Sequence, residues 1–86
     1  MELKDTVDLM LSHDYKDRFI AEFRQLEIRY DKLLDMMDKW RKGELDFTPT
    51  CPRNMYEIQL KGMEMYLDVL YDRAQMEGIN LERKVK

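Results

Sequence analysis

Large apolar side chains recur at spacings of four and three through the first half of the chain. The stripe comprises Phe19, Phe23, Leu26, Tyr30, Leu33, Met37 and Trp40, with Ile20 and Leu34 beside it. A period of 3.5 residues over three heptads is typical of a helix that packs lengthwise against other helices, and no alternation by two indicates a strand. The pattern predicts a long helix over residues 13–42, with Ser12 as its N-cap and Gly43 as its C-terminal cap.

A second long helix is predicted over residues 52–77, with Pro52 at its first position and Gly78 ending it. One apolar seam repeats the same spacing and comprises Tyr56, Leu60, Met63, Leu67, Leu70 and Ala74. Other large apolar residues lie outside this seam: Met55, Ile58, Met65, Tyr66, Val69 and Met76. A helix that is apolar nearly all round has to be buried all round, which one partner helix in an 86-residue chain cannot achieve. We therefore expect a homo-oligomer that buries the second face between protomers.

The segment that joins the two long helices contains Pro49, which blocks a helix, so the helices are expected to form an antiparallel hairpin. Beyond the last helix, Ile79 and Leu81 are apolar enough to dock, and the basic end after them is expected to be flexible. The predicted fold is a single all-α domain over 1–86, assembled into a homo-oligomeric helical bundle and ordered as short helix 3–11, long helix 13–42, loop 43–51, long helix 52–77 and flexible tail 78–86.

The balance of charges excludes several classes of function. The chain carries a net charge of −3, whereas a protein that binds DNA or RNA polymers needs an excess of Lys and Arg to neutralise many phosphates. A small ligand with a few phosphates stays compatible, because a few well-placed cations suffice. The single Cys51 rules out an internal disulfide and, with the single His13, disfavours a Cys/His zinc site. Since residues 1–12 show neither a basic leader nor a long apolar run, we expect a cytoplasmic protein without a membrane span.

Two pairs of residues on the first long helix are candidates for binding an anionic ligand. Tyr15 and Arg18, one turn apart, would place a stacking ring beside a phosphate-binding guanidinium. Arg29 and Lys32 have the same spacing and flank the apolar stripe, where they would hold an anion in a groove between helices. The alternative for both pairs is an ordinary solvated surface, with the cations paired to acidic side chains within helical reach.

Arg73 is the third candidate, on the last helix. Gln59, Tyr66 and Arg73 share one edge of this helix at spacings of seven, where most such positions are apolar. A charge at the seam of an oligomer costs stability unless it is paired. Arg73 is therefore expected either to meet an acidic residue of a neighbouring chain or to face a bound anion.

The acidic residues do not form a recognisable catalytic pattern. All-helical nucleotide pyrophosphohydrolases hold magnesium with acidic side chains one turn apart on facing helices. This chain lacks their paired Glu-x-x-Glu and Glu-x-x-Asp pattern, although it has three acidic pairs at helical spacing, Asp14 with Asp17, Asp35 with Asp38, and Asp68 with Asp72. No Gly-rich phosphate loop and no acid–base constellation accompanies them. We therefore expect a protein that is not an enzyme and uses no cofactor or metal.

The order of residues in the two long helices resembles a known family. The first helix reads Tyr15, Arg18, Glu22, Leu26, Arg29, Lys32 and Leu33, and the last reads Gln59, Met63, Tyr66, Val69, Leu70 and Arg73. This order is similar to that of small phage proteins that include the second type of anti-CBASS protein, a cyclic-nucleotide sponge. That family usually has Lys at the position of Arg29 and an aromatic residue at the position of Met36, which leaves the choice of ligand open.

The resemblance implies a helical homo-oligomer, a hexamer in known members, that works in the host cytoplasm. Such a protein binds cyclic di- or trinucleotide immune signals without hydrolysing them and so blocks anti-phage signalling. Tyr15 would then stack on a base, Arg29 or Lys32 would contact phosphate, and Arg73 would line a second type of pocket between protomers. The rival hypothesis is a helical protein–protein interaction module, such as a phage-encoded inhibitor or assembly adaptor, with no nucleotide ligand. The predicted ligand-binding residues are Tyr15, Arg18, Arg29, Lys32 and Arg73.

Overall fold

The computed structural model describes residues 1–81, which contain helices and no strand. A short 3-10 helix, Leu3–Thr6, runs directly into α1, Val7–Met10. Two long helices follow, α2 over Tyr15–Arg41 and α3 over Arg53–Glu77. The predicted all-α fold is confirmed over this part of the chain, and residues 82–86 of the predicted flexible tail lie outside the described residues.

Side-chain contacts show that α2 and α3 run antiparallel along their length. At the start of α2 the Tyr15 hydroxyl donates to Oε1 of Glu77, the last residue of α3, over 2.8 Å. Near the other end, the rings of Trp40 and Tyr56 meet edge to face with their centroids 6.0 Å apart. The hairpin therefore has an open end, where Tyr15 meets Glu77, and a loop end, where Trp40 meets Tyr56.

The start of α2 differs from the prediction, because Asp14 and not Ser12 is the N-cap. The Asp14 carboxylate accepts a hydrogen bond from the backbone N–H of Lys16 over 2.9 Å. Ser12 instead donates through its hydroxyl to Asp17 over 2.8 Å and accepts from the backbone N–H of Asp14. The expectation for Ser12 is wrong because a carboxylate two residues later reaches the free N–H groups of the first turn directly.

The C-terminal ends of both long helices are as predicted, since a glycine in the left-handed conformation follows each. Gly43 has φ +73° and Gly78 has φ +70°, values that residues with a side chain rarely adopt. The backbone N–H of Gly78 donates to the carbonyl of Ala74 and so closes the last turn of α3. At the start of α3, the sequence predicts Pro52 as the first helical residue, whereas in the structure Pro52 is the N-cap and the helix begins at Arg53.

The buried core lies towards the open end of the hairpin and comprises Phe19, Phe23, Leu70, Ala74, Ile79 and Leu81. The chain reverses at Gly78, so that Ile79 and Leu81 return to this core and are only 4% and 6% exposed. The buried guanidinium of Arg24 holds this return by donating to the Leu81 carbonyl, and it also pairs with Glu27 over 2.8 Å. Ile79 and Leu81, which the sequence predicts to dock although their segment was included in the flexible tail 78–86, therefore complete the core.

The second apolar face of α3 lies in solvent in the single chain. All six large residues predicted outside the seam are exposed, between 45% and 85% of their surface, namely Met55, Ile58, Met65, Tyr66, Val69 and Met76. We call these six residues the outer face. Exposed apolar side chains grouped in this way on one helix are typical of a surface that contacts another molecule. No helix within residues 1–81 is long and apolar enough to cross a membrane.

Candidate functional site

A ring of hydrogen bonds at the open end joins two of the predicted site residues, Tyr15 and Arg73. The guanidinium of Arg73 donates through Nη2 to the Tyr15 hydroxyl over 2.9 Å and through Nε to Oε2 of Glu77 over 3.2 Å. The Tyr15 hydroxyl in turn donates to Oε1 of Glu77 over 2.8 Å. We call Tyr15, Arg73 and Glu77 the open-end cluster. The carboxylate that meets Arg73 thus comes from the same chain, an arrangement that the sequence reasoning did not consider.

The open-end cluster rests on the buried ring of Phe19. The Cζ atom of Arg73 lies 5.0 Å from the centroid of this ring, close enough for a cation–π attraction. The ring of Tyr15 meets Phe19 edge-on, with the centroids 6.2 Å apart. Phe19 is only 3% exposed, whereas Tyr15 is 47% exposed and the side chain of Arg73 is 46% exposed. The core therefore fixes the floor of the site while its upper groups stay accessible to a ligand.

The hydrogen bonds of the cluster also shift the pKa values of its members. The bond from the Tyr15 hydroxyl, together with the bond and charge of Arg73, lowers the pKa of Glu77. The bond to the Glu77 carboxylate raises the pKa of Tyr15, with the charge of Arg73 acting in the opposite direction. The pKa of Arg73 is raised, chiefly by its bond to Glu77. At neutral pH the cluster thus holds one cation, one anion and one protonated phenol.

A second tyrosine–glutamate bond continues along the same edge of the hairpin. The Tyr66 hydroxyl on α3 donates to the Glu22 carboxylate on α2, and this bond raises the pKa of Tyr66. The charge of Arg73, two helical turns away, acts on Tyr66 in the opposite direction. Two motif residues of α2, Tyr15 and Glu22, are therefore bonded to two motif residues of α3, Arg73 and Tyr66. Residues that resemble the phage family thus bridge the two helices.

Arg18 lies one turn after Tyr15, but its side chain bonds to the turn before α2 and not to the open-end cluster. Its Nη1 donates to the backbone carbonyl of Ser12 over 2.8 Å, so the side chain folds back onto the turn before α2. Arg18 is exposed, and this bond involves one of the five N–H donors that a guanidinium carries. In the single chain Arg18 therefore supports the start of α2.

Arg29 and Lys32 lie in a different part of the chain from the open-end cluster. Arg29 lies fourteen positions after Tyr15, which is about 21 Å along a helix that rises 1.5 Å per residue. The ammonium of Lys32 lies 3.3 Å from a carboxylate oxygen of Glu2, and both side chains are well exposed. Arg29 is also exposed and has no side-chain partner within residues 1–81. One protomer therefore does not bring Arg29 or Lys32 to Tyr15.

Two members of the site were missed by the sequence reasoning. The sequence predicts Phe19 only as a member of the apolar stripe and Glu77 only as the end of the last helix. The spacing of four between Arg73 and Glu77 was a visible signal for a pair within one helix. The bond between Tyr15 and Glu77 depends on how α2 and α3 are aligned, which no local pattern reveals.

The acidic residues near the loop end of α2 pair with cations of their own helix. Asp35 lies 3.3 Å from Lys39, and Asp38 contacts both Arg41 and Lys42. The bond from Lys42 is the main cause of a lowered pKa of Asp38. Among the residues that the structure describes, no group of three or more His, Cys, Asp or Glu side chains is arranged to hold a metal ion.

The fold and the cluster define the class of this protein, a small helical hairpin with an exposed polar site on an aromatic floor. The model of one protein family, Sequestin, matches residues 13–76, which cover α2 and nearly all of α3. The chain belongs to the Sequestin family. This assignment is consistent with the resemblance to phage sponge proteins that the two helices show. Neither the curated proteins nor the solved structures contain a match to this chain.

Proposed function

We propose that this protein binds and sequesters cyclic di- or trinucleotide messengers of host anti-phage immunity, and that it does not cleave them. The name Sequestin supports the retention of a molecule, and the order of residues in both helices supports a cyclic nucleotide as that molecule. The observation that carries the proposal is the open-end cluster, in which an exposed tyrosine ring lies beside an exposed guanidinium.

The chemistry of the cluster suits the two parts of a nucleotide. Aromatic side chains stack on bases of any sequence, and each such contact is worth about 1–3 kcal/mol. A guanidinium binds phosphate oxygens with two parallel hydrogen bonds, which fix orientation as well as adding affinity. Tyr15 and Arg73 supply these two groups side by side, and Arg18 adds further donors one turn along α2. In this proposal Tyr15 stacks on a base while Arg73 holds a phosphate.

The proposal includes a homo-oligomer, of the hexameric kind that the resemblance implies. The exposed outer face of α3 supports this part, because a second copy of the chain would cover it. The distance between Tyr15 and Arg29 supports it as well, since phosphate contacts from Arg29 or Lys32 can reach a ligand at Tyr15 only from another protomer. The complete pocket then lies between subunits, and Arg73 lines it or a second pocket at the same seam.

A second candidate function is a protein–protein interaction module, and the outer face of α3 favours it. An amphipathic helix of a partner protein would lie against the same apolar side chains in place of a second copy. In that case the open-end cluster is a structural clasp between α2 and α3. Nucleotides would then have no effect on the protein.

The two functions are separated by thermal unfolding of the purified protein with a panel of cyclic di- and trinucleotides and their linear forms. A ligand that binds only the folded state at a hundredfold excess over Kd stabilises it by about 2.7 kcal/mol. In a domain of this size that corresponds to a rise in the midpoint of roughly 10–20 °C. The ligand is then recovered by heat release and identified by chromatography, and we expect it intact.

Variants test whether the binding uses the open-end cluster. Arg73→Ala and Tyr15→Ala are expected to abolish the shift without changing the oligomer measured by light scattering. Arg41→Ala is the matched control, because Arg41 is an exposed arginine at the loop end that pairs with Asp38. A folded oligomer that responds to none of the nucleotides would favour the interaction module. Recovery of a linear product would contradict sequestration without cleavage.

A further inference from the structure

We infer that Glu77 is an internal substitute for the ligand phosphate. Its carboxylate occupies the donors of Arg73 and Tyr15 in the free protein, and a nucleotide phosphate has to displace it in order to bind. This inference rests on the proposed function and concerns the regulation of the same site. Glu77 lies one residue beyond the range 13–76 that the family model matches.

The geometry of the carboxylate is that of a bound anion. One oxygen of Glu77 accepts from Nε of Arg73 over 3.2 Å, and the other accepts from the Tyr15 hydroxyl over 2.8 Å. A phosphodiester likewise presents two non-bridging oxygens side by side, and both groups form charge-assisted bonds with a guanidinium. A phosphate placed at this position therefore competes with Glu77 for the same two donors.

The exchange requires no rearrangement of the core. The side chain of Glu77 is 33% exposed and that of Arg73 is 46% exposed, so both groups already reach solvent. The ring beneath them belongs to Phe19, which stays buried in the core whichever anion lies above it. Rotation of the Glu77 side chain away from α2 is thus enough to free Arg73 and Tyr15.

The position of Glu77 is unfavourable for the helix that carries it. The C-terminal end of a helix bears a partial negative charge, which repels a carboxylate, and Glu77 is the last residue of α3. The last turn of α3 contains no basic residue that would offset this charge. The partners of the Glu77 side chain within residues 1–81 are Tyr15 and Arg73. Its contacts are therefore those of the open-end cluster, one of them to α2 and the other to Arg73 within α3.

Competition of this kind lowers the affinity for a phosphate ligand, and its removal raises the affinity. An exposed ion pair is worth at most about a fivefold change in an equilibrium constant. Glu77→Gln keeps the shape of the side chain and its hydrogen-bonding oxygen but removes the charge. We expect this variant to bind the ligand about fivefold more tightly than the unmodified protein.

The experiment is isothermal titration of the full chain with cyclic diadenylate, cyclic diguanylate and cyclic triadenylate. Glu64→Gln is the matched control, because Glu64 accepts a hydrogen bond from Tyr30 across the hairpin over 2.7 Å, as Glu77 does from Tyr15. Both substitutions change the net charge equally, so a general electrostatic effect would raise both affinities. We expect Glu64→Gln to leave the affinity unchanged.

Each result decides the inference and separates it from the proposed function. Tighter binding by Glu77→Gln alone supports it, and so does binding that appears only in that variant. If the unmodified protein binds a nucleotide and Glu77→Gln binds it equally or more weakly, the inference is overturned while the proposed function stands. If neither protein binds any of the nucleotides, both are overturned. Circular dichroism spectra of the variants establish that each is folded, and a misfolded Glu77→Gln would show a structural role and overturn the inference.

Discussion

Truncation of Leu70 tests the packing that supports the open-end cluster. Leu70 is 1% exposed and lies in the same core cluster as Phe19, the floor beneath Arg73. A buried Leu→Ala substitution costs about 2–5 kcal/mol, because the lost burial adds to the cost of the cavity that remains. Both long helices enclose this position and leave it almost no solvent contact, so we expect Leu70→Ala to lower the free energy of unfolding by about 3 kcal/mol.

Thermal unfolding followed by circular dichroism measures this cost. In a domain of this size 1 kcal/mol corresponds to about 4–8 °C, so the midpoint should fall by roughly 12–24 °C. Leu34→Ala is the matched control, since Leu34 is on α2 but 45% exposed, and surface substitutions change stability by about 0.5 kcal/mol. Both variants are compared at one protein concentration, because an oligomer unfolds at a concentration-dependent temperature. Equal effects of the two substitutions would refute the packing of α3 against α2.

Two further predictions concern the glycines and a tyrosine of the hairpin. Gly78→Ala should destabilise the protein by about 1–2 kcal/mol, because φ is +70° at this position. Gly62→Ala should instead stabilise it by about 0.5–1 kcal/mol, because Gly62 lies inside a helix and the added Cβ would meet no neighbouring side chain within 4 Å. Urea unfolding checks these opposite signs, and equal signs would contradict the left-handed cap. The hydrogen bond to Glu64 raises the pKa of Tyr30. The stability that this bond adds to the folded protein is therefore fully present below the unfolded-state tyrosine pKa of about 10, and it is lost as the pH rises through the higher pKa of the folded state. Ultraviolet titration against a Tyr30→Phe reference should show this pKa falling in Glu64→Gln; an unchanged pKa would mean that the bond is absent in solution.

The features that the sequence predicted correctly are those that depend on neighbouring residues. The apolar stripe of α2 follows from a 3.5-residue period, and its members are buried or half-buried in the structure. Both glycine caps follow from a conformational freedom that few other residues have. The start of α2 was placed two residues early because Ser12 and Asp14 are both good caps, and only the geometry of the first turn decides between them.

The open-end cluster was only partly predictable, because its bonds join residues far apart in sequence. Tyr15 and Arg73 were selected separately, one for each helix, and nothing in either helix indicated that they touch. Their meeting depends on the register of the hairpin, which is set by the loop length and by the packing of the whole seam. The role of Glu77 was hidden for the same reason, since half of its bonds cross to α2.

Comparison of two ion pairs shows why the surroundings of a charge matter more than its spacing. Arg73 with Glu77 and Lys39 with Asp35 are both pairs at a spacing of four on an exposed helix surface. Exposed pairs of this kind add little to stability, so neither pair is distinguished by its energy. Beneath Arg73, however, lies the buried ring of Phe19, with its centroid 5.0 Å from Cζ, and this cation–π contact restrains the guanidinium. A restrained guanidinium is partly pre-organised for an anion, whereas a lysine on a flexible stem is not. The open-end cluster is therefore the stronger candidate for an anion site, although the sequence shows the two pairs as equivalent.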